Sequence, residues 1–191
     1  MLKKSIIYFS KKGADNTEET ISLAYRRALE LNIKEIVVAT THGATALKVA
    51  EAFDSQQFNI VAVSISEAYD DQNMTMTPKE KAKLTSKDIK VYTGICLLDG
   101  DVNTAFRETF QGISINEVVG RTLYAFCQGM KVCIEIILMA ADAGLIHVDQ
   151  EIIAIAGTHK GADTAIVVKP SYPRKFFDLK VLEIITKPRE G

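Results

Sequence analysis

Ile36-Val37-Val38-Ala39-Thr40-Thr41-His42-Gly43-Ala44-Thr45-Ala46 is the stretch on which the fold turns. Its first four residues are apolar without alternation, the pattern of a strand buried on both faces. A loop rich in Thr and Gly follows, and the sequence then predicts a helix from about Gly43 to Phe53. A second apolar run, Ile60 to Val63, comes next. Two buried strands joined by one helix form a βαβ unit, so they pair in parallel through a crossover expected to be right-handed.

The loop has an echo. After another β-rich run, Ile152 to Ala156, the chain reads Gly157-Thr158-His159-Lys160-Gly161-Ala162-Asp163-Thr164-Ala165, the first loop with single-residue insertions. Ligands of open parallel sheets bind beyond the carboxyl ends of strands, where both loops are expected to lie. At the first loop a helix also begins, and free N–H groups with the positive end of the helix dipole favour a phosphate there. The candidate ligand-binding residues are therefore Thr40, Thr41, His42, Gly43 and Thr45 with Gly157, Thr158, His159, Lys160, Gly161, Asp163 and Thr164. Glycine permits close approach, Thr hydroxyls add donors, and Lys160 or a protonated histidine adds charge. Singly, each loop is also read as an ordinary helix cap or turn.

Working outward, strands and helices alternate. Ser5 to Phe9 reads as a short strand, and Asn16 with Glu19 as a capping box opening a helix to about Leu31. The stretch from Ser66 to Met76 is polar and irregular, and Thr77-Pro78-Lys79-Glu80 supplies an N-cap, an N1 proline and an N3 glutamate. Ile89 to Tyr92 reads as a weak strand, Ser114 with Glu117 caps a further helix, and Met130 to Ala143 is a helix apolar on nearly every side. Thr164 to Lys169 is β-rich, and Leu179 to Ile185 is expected to close the chain as an edge strand. No segment is rich enough in Pro, Gly or Ser to be a linker, so residues 1–191 are read as a single α/β domain, a three-layer αβα fold around a mostly parallel sheet.

Composition narrows the function. The chain is 47% hydrophobic and 25% charged, which is globular rather than disordered. Its 23 basic and 24 acidic residues leave a net charge of -1, so the electrostatic footprint of a nucleic-acid or anionic-membrane binder is missing. The run Ile6-Ile7-Tyr8-Phe9 is too short for a signal-peptide core or a membrane span, and the expected location is cytoplasmic. Cys96, Cys127 and Cys133 match neither a zinc site nor a paired redox motif and read as buried free thiols.

Other residues bear chemistry, each with a plain structural alternative. Lys131, Glu135 and Asp142 interrupt the apolar helix on one face, and a structural role, either Lys131 paired with Glu135 or a carboxylate accepting backbone N–H groups from a loop, is favoured over catalysis. Tyr8, Phe9 and Tyr25 have rings able to stack on a planar ligand, but strand and helix aromatics belong first to a core. Lys11-Lys12-Gly13-Ala14-Asp15-Asn16 follows the first strand and suits an anion, although surface lysines are ordinarily solvated. His147 has no metal-ligand spacing around it, and no nucleophile elbow surrounds any serine.

From Asn16 to Val168 the sequence resembles the C-terminal domain of pyruvate kinase. The stretch Ile36 to Ala46 is similar to that domain's strand and Thr-x-x-Gly-x-Thr/Ser-Ala loop, and Ala143-Gly144-Leu145-Ile146 with Glu151 to Thr164 resembles the segment ending in its Gly-x-Thr-Asn-Thr loop. In that family the two loops form an allosteric sugar-bisphosphate pocket. Here Phe53-Asp54-Ser55 stands where an Arg-Pro is usual, and Asp163-Thr164-Ala165 where Thr-Asn-Thr is usual. The 191 residues contain no counterpart of the catalytic barrel, so the resemblance does not imply kinase activity. Asn16-Thr17-Glu18-Glu19-Thr20, Lys131-Val132-Cys133-Ile134-Glu135 and Met139-Ala140-Ala141-Asp142-Ala143-Gly144 resemble a group of small, stand-alone archaeal-type proteins built on this domain. That resemblance implies a phosphate-bearing ligand, with flavin mononucleotide (FMN) as the cofactor, while the resemblance to the pyruvate kinase C-terminal domain, which makes subunit contacts, implies a homo-oligomer. The alternative is an enzyme acting on a phosphorylated or flavin-linked substrate, with His42 or His159 as acid or base.

Overall fold

The computed structural model describes residues 4–190. In chain order the main elements are β1 (Ile7–Phe9), α1 (Thr17–Leu31), β2 (Glu35–Ala39), α2 (Ala44–Ala52), β3 (Asn59–Ser64), α3 (Pro78–Thr85) and β4 (Lys90–Thr93). They continue with α4 (Asp101–Phe110), α5 (Ile115–Leu123), α6 (Gln128–Asp142), β5 (Ile152–Ala156), β6 (Thr164–Lys169) and β7 (Lys180–Pro188). The strands form one seven-stranded sheet in the order β1-β7-β6-β5-β2-β3-β4. The pairings of β2 with β3, β2 with β5, β3 with β4 and β1 with β7 are parallel, and β6 runs antiparallel to both its neighbours. Consequently the carboxyl ends of β1, β2, β3, β4, β5 and β7 share one rim with the start of β6.

Strand alternation divides the core into two layers. Ile36, Val38, Ile60, Ala62, Ile153 and Ile155 face α1, α2 and α3 in one cluster. Val37, Val61, Val63, Ile152, Ala154 and Ala156 face α6 in the other. Both faces are covered, which is why the strands carry apolar runs rather than alternating patterns. α6 is buried on nearly all sides because it fills the groove over β5, β2 and β6. It begins at the carboxyl rim and ends at the opposite one. No helix among the described residues is long and apolar enough to cross a membrane.

Local sequence rules hold at α3, where the Thr77 hydroxyl accepts from Glu80 N and Glu80 Oε2 accepts from Thr77 N. At α5 Ser114 accepts from Glu117 N. Four expectations need correction. Asn16 does not cap α1: its amide is turned back to Lys11 O and Gly13 O, 2.8 and 3.2 Å away. β7 is interior, because β1 from the far end of the chain adds outside it, and the edges are β1 and β4. Asp142 is exposed at the last turn of α6 rather than buried with Glu135, since the helix emerges from the core there. Tyr8 lies on the open edge strand and is exposed, with Lys187 above its ring, whereas Tyr25 packs edge-on against Phe53 in the core.

α4 is an element that the pattern alone did not predict. It has no buried residue, and Val102, Phe106 and Phe110 stand in solvent together with Ile113, Ile115 and Val118. All three cysteines are free; Cys127 and Cys133 are buried, and Cys96 is half-buried.

Candidate functional site

The first rim loop leaves β2 with Thr40 N bonded to Val63 O, which extends the parallel ladder by one residue. Gly43 then takes φ of 84° at the N-cap of α2, a conformation glycine adopts without strain, and makes no side-chain cap. The first N–H groups of α2 are therefore left for solvent or a ligand. His42 is held beside them. Its Nε2 donates to Asn73 O over 3.1 Å, and its Nδ1 stands 3.5 Å from Glu80 Oε1.

The second loop opens no helix. It leaves β5 at Gly157 and returns into β6 through an antiparallel turn. A Cβ on Gly157 would lie 2.8 Å from Ala162 Cα and Gly161 O, so only glycine lets the two arms of the turn close. The turn is fastened by Asp163, which is fully buried. Its Oδ2 accepts from Gly13 N at 2.9 Å and Thr158 N at 3.2 Å, and its Oδ1 accepts from the Thr164 hydroxyl at 2.8 Å. Thr17, which opens α1, donates to Ala14 O and accepts from Ala162 N, while Thr20 donates to Ala162 O. Three rim segments, from β1, α1 and β5, are thereby stitched into one rigid edge.

Between the loops and α6 is a cavity of about 520 Å3. Thr40, Thr41, His42, Ala44 and Thr45 line one side, and Gly157, His159, Lys160 and Gly161 line the next. The far wall is Gln128, Lys131, Val132, Glu135, Ile136 and Met139 on α6, closed by Tyr69, Cys96, Asp99 and Tyr124. Lys131 is buried in that wall. Its ammonium donates to Glu135 Oε2 over 2.6 Å and to Asp99 Oδ1, and Glu135 Oε1 accepts from Leu98 N at 2.8 Å. Burial alone would lower the Lys131 pKa, but Glu135 and Asp99 outweigh it and hold the ammonium above its ordinary value. Such a lysine stays charged and is no nucleophile. Desolvation pushes the Cys96 thiol up to about 12, reinforced by the Glu135 charge, so it is not a reactive thiolate.

The charges in this cavity are segregated. Two carboxylates share one lysine on the α6 side, while the helix start, Lys160 and the two histidines stand on the loop side. An anion is favoured at the loops and disfavoured against α6.

A strand, a Gly-bearing loop and a helix, followed across the sheet by a second strand and turn on the same rim, have a counterpart among known proteins: a model of the pyruvate kinase alpha/beta domain matches residues 18–168. The chain belongs to this family. Crystal structures of Cryptosporidium parvum pyruvate kinase are similar to it at 16% and 17% identity, each over 84% of this chain and 24% of that one, with TM-scores of 0.42 and 0.44. A third structure of that enzyme, in complex with ADP, is similar at 17% identity over 93% of this chain and 25% of the other, with a TM-score of 0.41. The chain thus spans about a quarter of the length of the pyruvate kinases it matches.

Of the candidate residues, Thr40, Thr41, His42, Thr45, Gly157, His159, Lys160 and Gly161 are gathered on this alpha/beta-domain cavity. Gly43, Thr158, Asp163 and Thr164 are not on its wall; the last three are buried beneath it as the fastening of the turn. Lys11 to Asn16 packs behind that fastening through Gly13 rather than lining the cavity. His147 belongs to the opposite rim, where its Nδ1 donates to Glu35 Oε1 over 2.6 Å. The wall residues Tyr69, Asp99 and Tyr124 escaped the sequence reading. Asp99 is 32 positions from Lys131, and no local spacing announces that partnership.

Proposed function

We propose that the chain is a binding protein for a phosphate-bearing small molecule, FMN in the first instance, and that it acts without pyruvate kinase activity as one of the stand-alone archaeal-type group. The observation that carries this reading is the single cavity shared by both loops, with the uncapped start of α2 on one side and Lys160 on the other. Its volume of about 520 Å3 suits a small ligand. The phosphate belongs between Thr40–Thr45 and Gly157–Gly161, away from Glu135 and Asp99. Titration with FMN, riboflavin and inorganic phosphate tests it. FMN is expected to bind at least about tenfold more tightly than riboflavin, since a phosphate on helix N–H groups adds charge-assisted bonds. Equal affinity for FMN and riboflavin would overturn the phosphate assignment.

A second reading, an enzyme on a phosphorylated or flavin-linked substrate, is favoured by the setting of His42. Asn73 O and Glu80 Oε1 orient its ring at the cavity edge, and one of these two contacts must open for a ring nitrogen to meet a substrate, whereas His159 sits on an exposed turn with φ of 58°. If turnover is found in a screen of phosphosugars and flavin reductions, His42→Gln should abolish it and His159→Gln should not. A homo-oligomer, implied by resemblance to a domain that makes subunit contacts, is checked by light scattering, and a monomer would remove it.

A further inference from the structure

α4 and α5 are both amphipathic, and both are turned the opposite way from helices that rest on a core. α4 buries no residue: Asn103, Thr104 and Arg107 are on its half-covered side, while Val102, Phe106 and Phe110, at i, i+4 and i+8, stand in solvent. α5 buries Glu117 and Gly120 and exposes Ile115 and Val118 on the other face. The inward side is the ionic one. There Glu117 Oε1 accepts from Arg107 Nη1 at 2.9 Å and from Arg121 Nη2 at 2.8 Å, which ties the two helices together. Ile113, in the short connection, is exposed as well, so the apolar face continues from one helix into the next.

A helix of ten residues is marginal in water by itself, and in a folded chain it is held chiefly by burying an apolar face. α4 has such a face with nothing packed on it.

Area and charge name the occupant. The six side chains from Val102 to Val118 are each more than half exposed. Together they offer on the order of 600 Å2 of apolar surface, the upper limit of what a monomer leaves bare in one patch and close to the about 800 Å2 per partner of a standard interface. Residues 101–126 hold two arginines, three carboxylates and no lysine. A face for an anionic membrane calls for a rim of Lys and Arg. A face of one charge sign would repel its own image across a two-fold axis, whereas a nearly neutral, apolar one meets its image without that cost, and homodimer interfaces are the more apolar kind.

We propose that the α4–α5 face is the surface on which a second copy of this chain docks, apolar face against apolar face about a two-fold axis. The proposal gives the expected homo-oligomer its surface and rests on that expectation, independently of the ligand.

Sedimentation equilibrium of the full chain over about 1 to 100 μM tests it, and a doubled mass is expected at the upper end. In the double variant Phe106→Asp, Phe110→Asp both altered side chains lie in solvent in the single chain, so the fold is kept and self-association should weaken about 100-fold or more. Phe177→Asp, at a position 87% exposed outside this face, should leave the doubled mass unchanged. In the unaltered protein, amide hydrogen exchange in α4 should slow as concentration rises. A doubled mass without that slowing, or one kept by the double variant, overturns this surface and leaves the homo-oligomer standing. Loss of the doubled mass in Phe177→Asp as well also overturns it, since added charge alone would then be the cause. A single-chain mass at every concentration removes both the surface and the oligomer, and a single chain that floats with phosphatidylcholine–phosphatidylserine vesicles assigns the face to lipid instead.

Discussion

The loop from Thr40 to Thr45 leaves β2 and enters a helix, whereas the loop from Gly157 to Asp163 leaves β5 and turns back into β6. In sequence they are echoes. In the fold the first has open donors, an uncapped helix start with a glycine at positive φ, whereas in the second Thr158 N is taken by the Asp163 carboxylate, Lys160 N by Thr158 O and Ala162 N by Thr17 Oγ1. The first is suited to attract a phosphate, while the second supplies the rigid edge and Lys160. Similarity of residues thus says where loops lie on a sheet, but not which of their N–H groups are free.

The largest expected effect attacks the fastened loop. Asp163→Ala removes the acceptor of the buried Thr158 N–H and of the half-buried Gly13 N–H and leaves the Thr164 hydroxyl only Cys127 Sγ, and should cost about 3 kcal/mol in urea unfolding. A cost below about 1 kcal/mol would mean that the second loop is as loosely held as the first. Asp163→Asn, which keeps one oxygen acceptor, should lose less.

A pair of glycine substitutions sharpens the contrast. Gly161→Ala has φ of 73° and puts Cβ 2.4 Å from Thr17 Oγ1 and 2.8 Å from Ala14 Cα. Strain and overlap together should cost about 2 kcal/mol. Gly43→Ala has a similar φ but meets only the Leu84 side chain at 3.2 Å, which can move, and about 1 kcal/mol is expected. Thermal melts of both variants would show the order; a reversal would place the tighter packing at the first loop.

Binding is expected to respond less than stability does. Lys160→Met should weaken FMN about fivefold, or about 1 kcal/mol, because the exposed ammonium adds one screened charge to the site. Unchanged affinity in low-salt titrations would leave the first loop as the sole phosphate contact.

The smallest effect is on the far rim. The hydrogen bond to Glu35, then its charge, raises the His147 pKa above the ordinary 6.5. Since the folded pKa is the higher one, this bond contributes fully below about pH 6.5 and its contribution fades as pH rises through the raised value. His147→Gln should flatten that small slope in stability against pH and leave FMN binding unchanged. A change in binding would couple the two rims.

Much of the fold was legible. Ile36 to Ala39, Ile60 to Val63 and Ile152 to Ala156 announce buried strands because a sheet covered on both faces needs unbroken apolar runs. The capping box at Thr77 is read directly because both its partners lie within four residues. Asn16 and Glu19 present the same signature, yet the Asn16 amide is taken by the loop before it, a competition that spacing does not reveal. The Lys131–Glu135 pair follows from helical periodicity, whereas Asp99, Tyr69 and Tyr124 reach the cavity from a region with little apolar patterning. α4 went unread although Val102, Ala105, Phe106 and Phe110 recur at helical spacing; the structure leaves that apolar stripe exposed rather than packed on the core.

By itself the chain's order of residues specified a layered α/β domain with two Thr- and Gly-bearing loops beyond buried strands, because short-range periodicity and turn chemistry are written locally. Which loop keeps its donors and where β7 finds its neighbours were decided only by tertiary structure. Those outcomes depend on groups far apart in the chain competing for the same hydrogen bonds, and no local pattern records the winner.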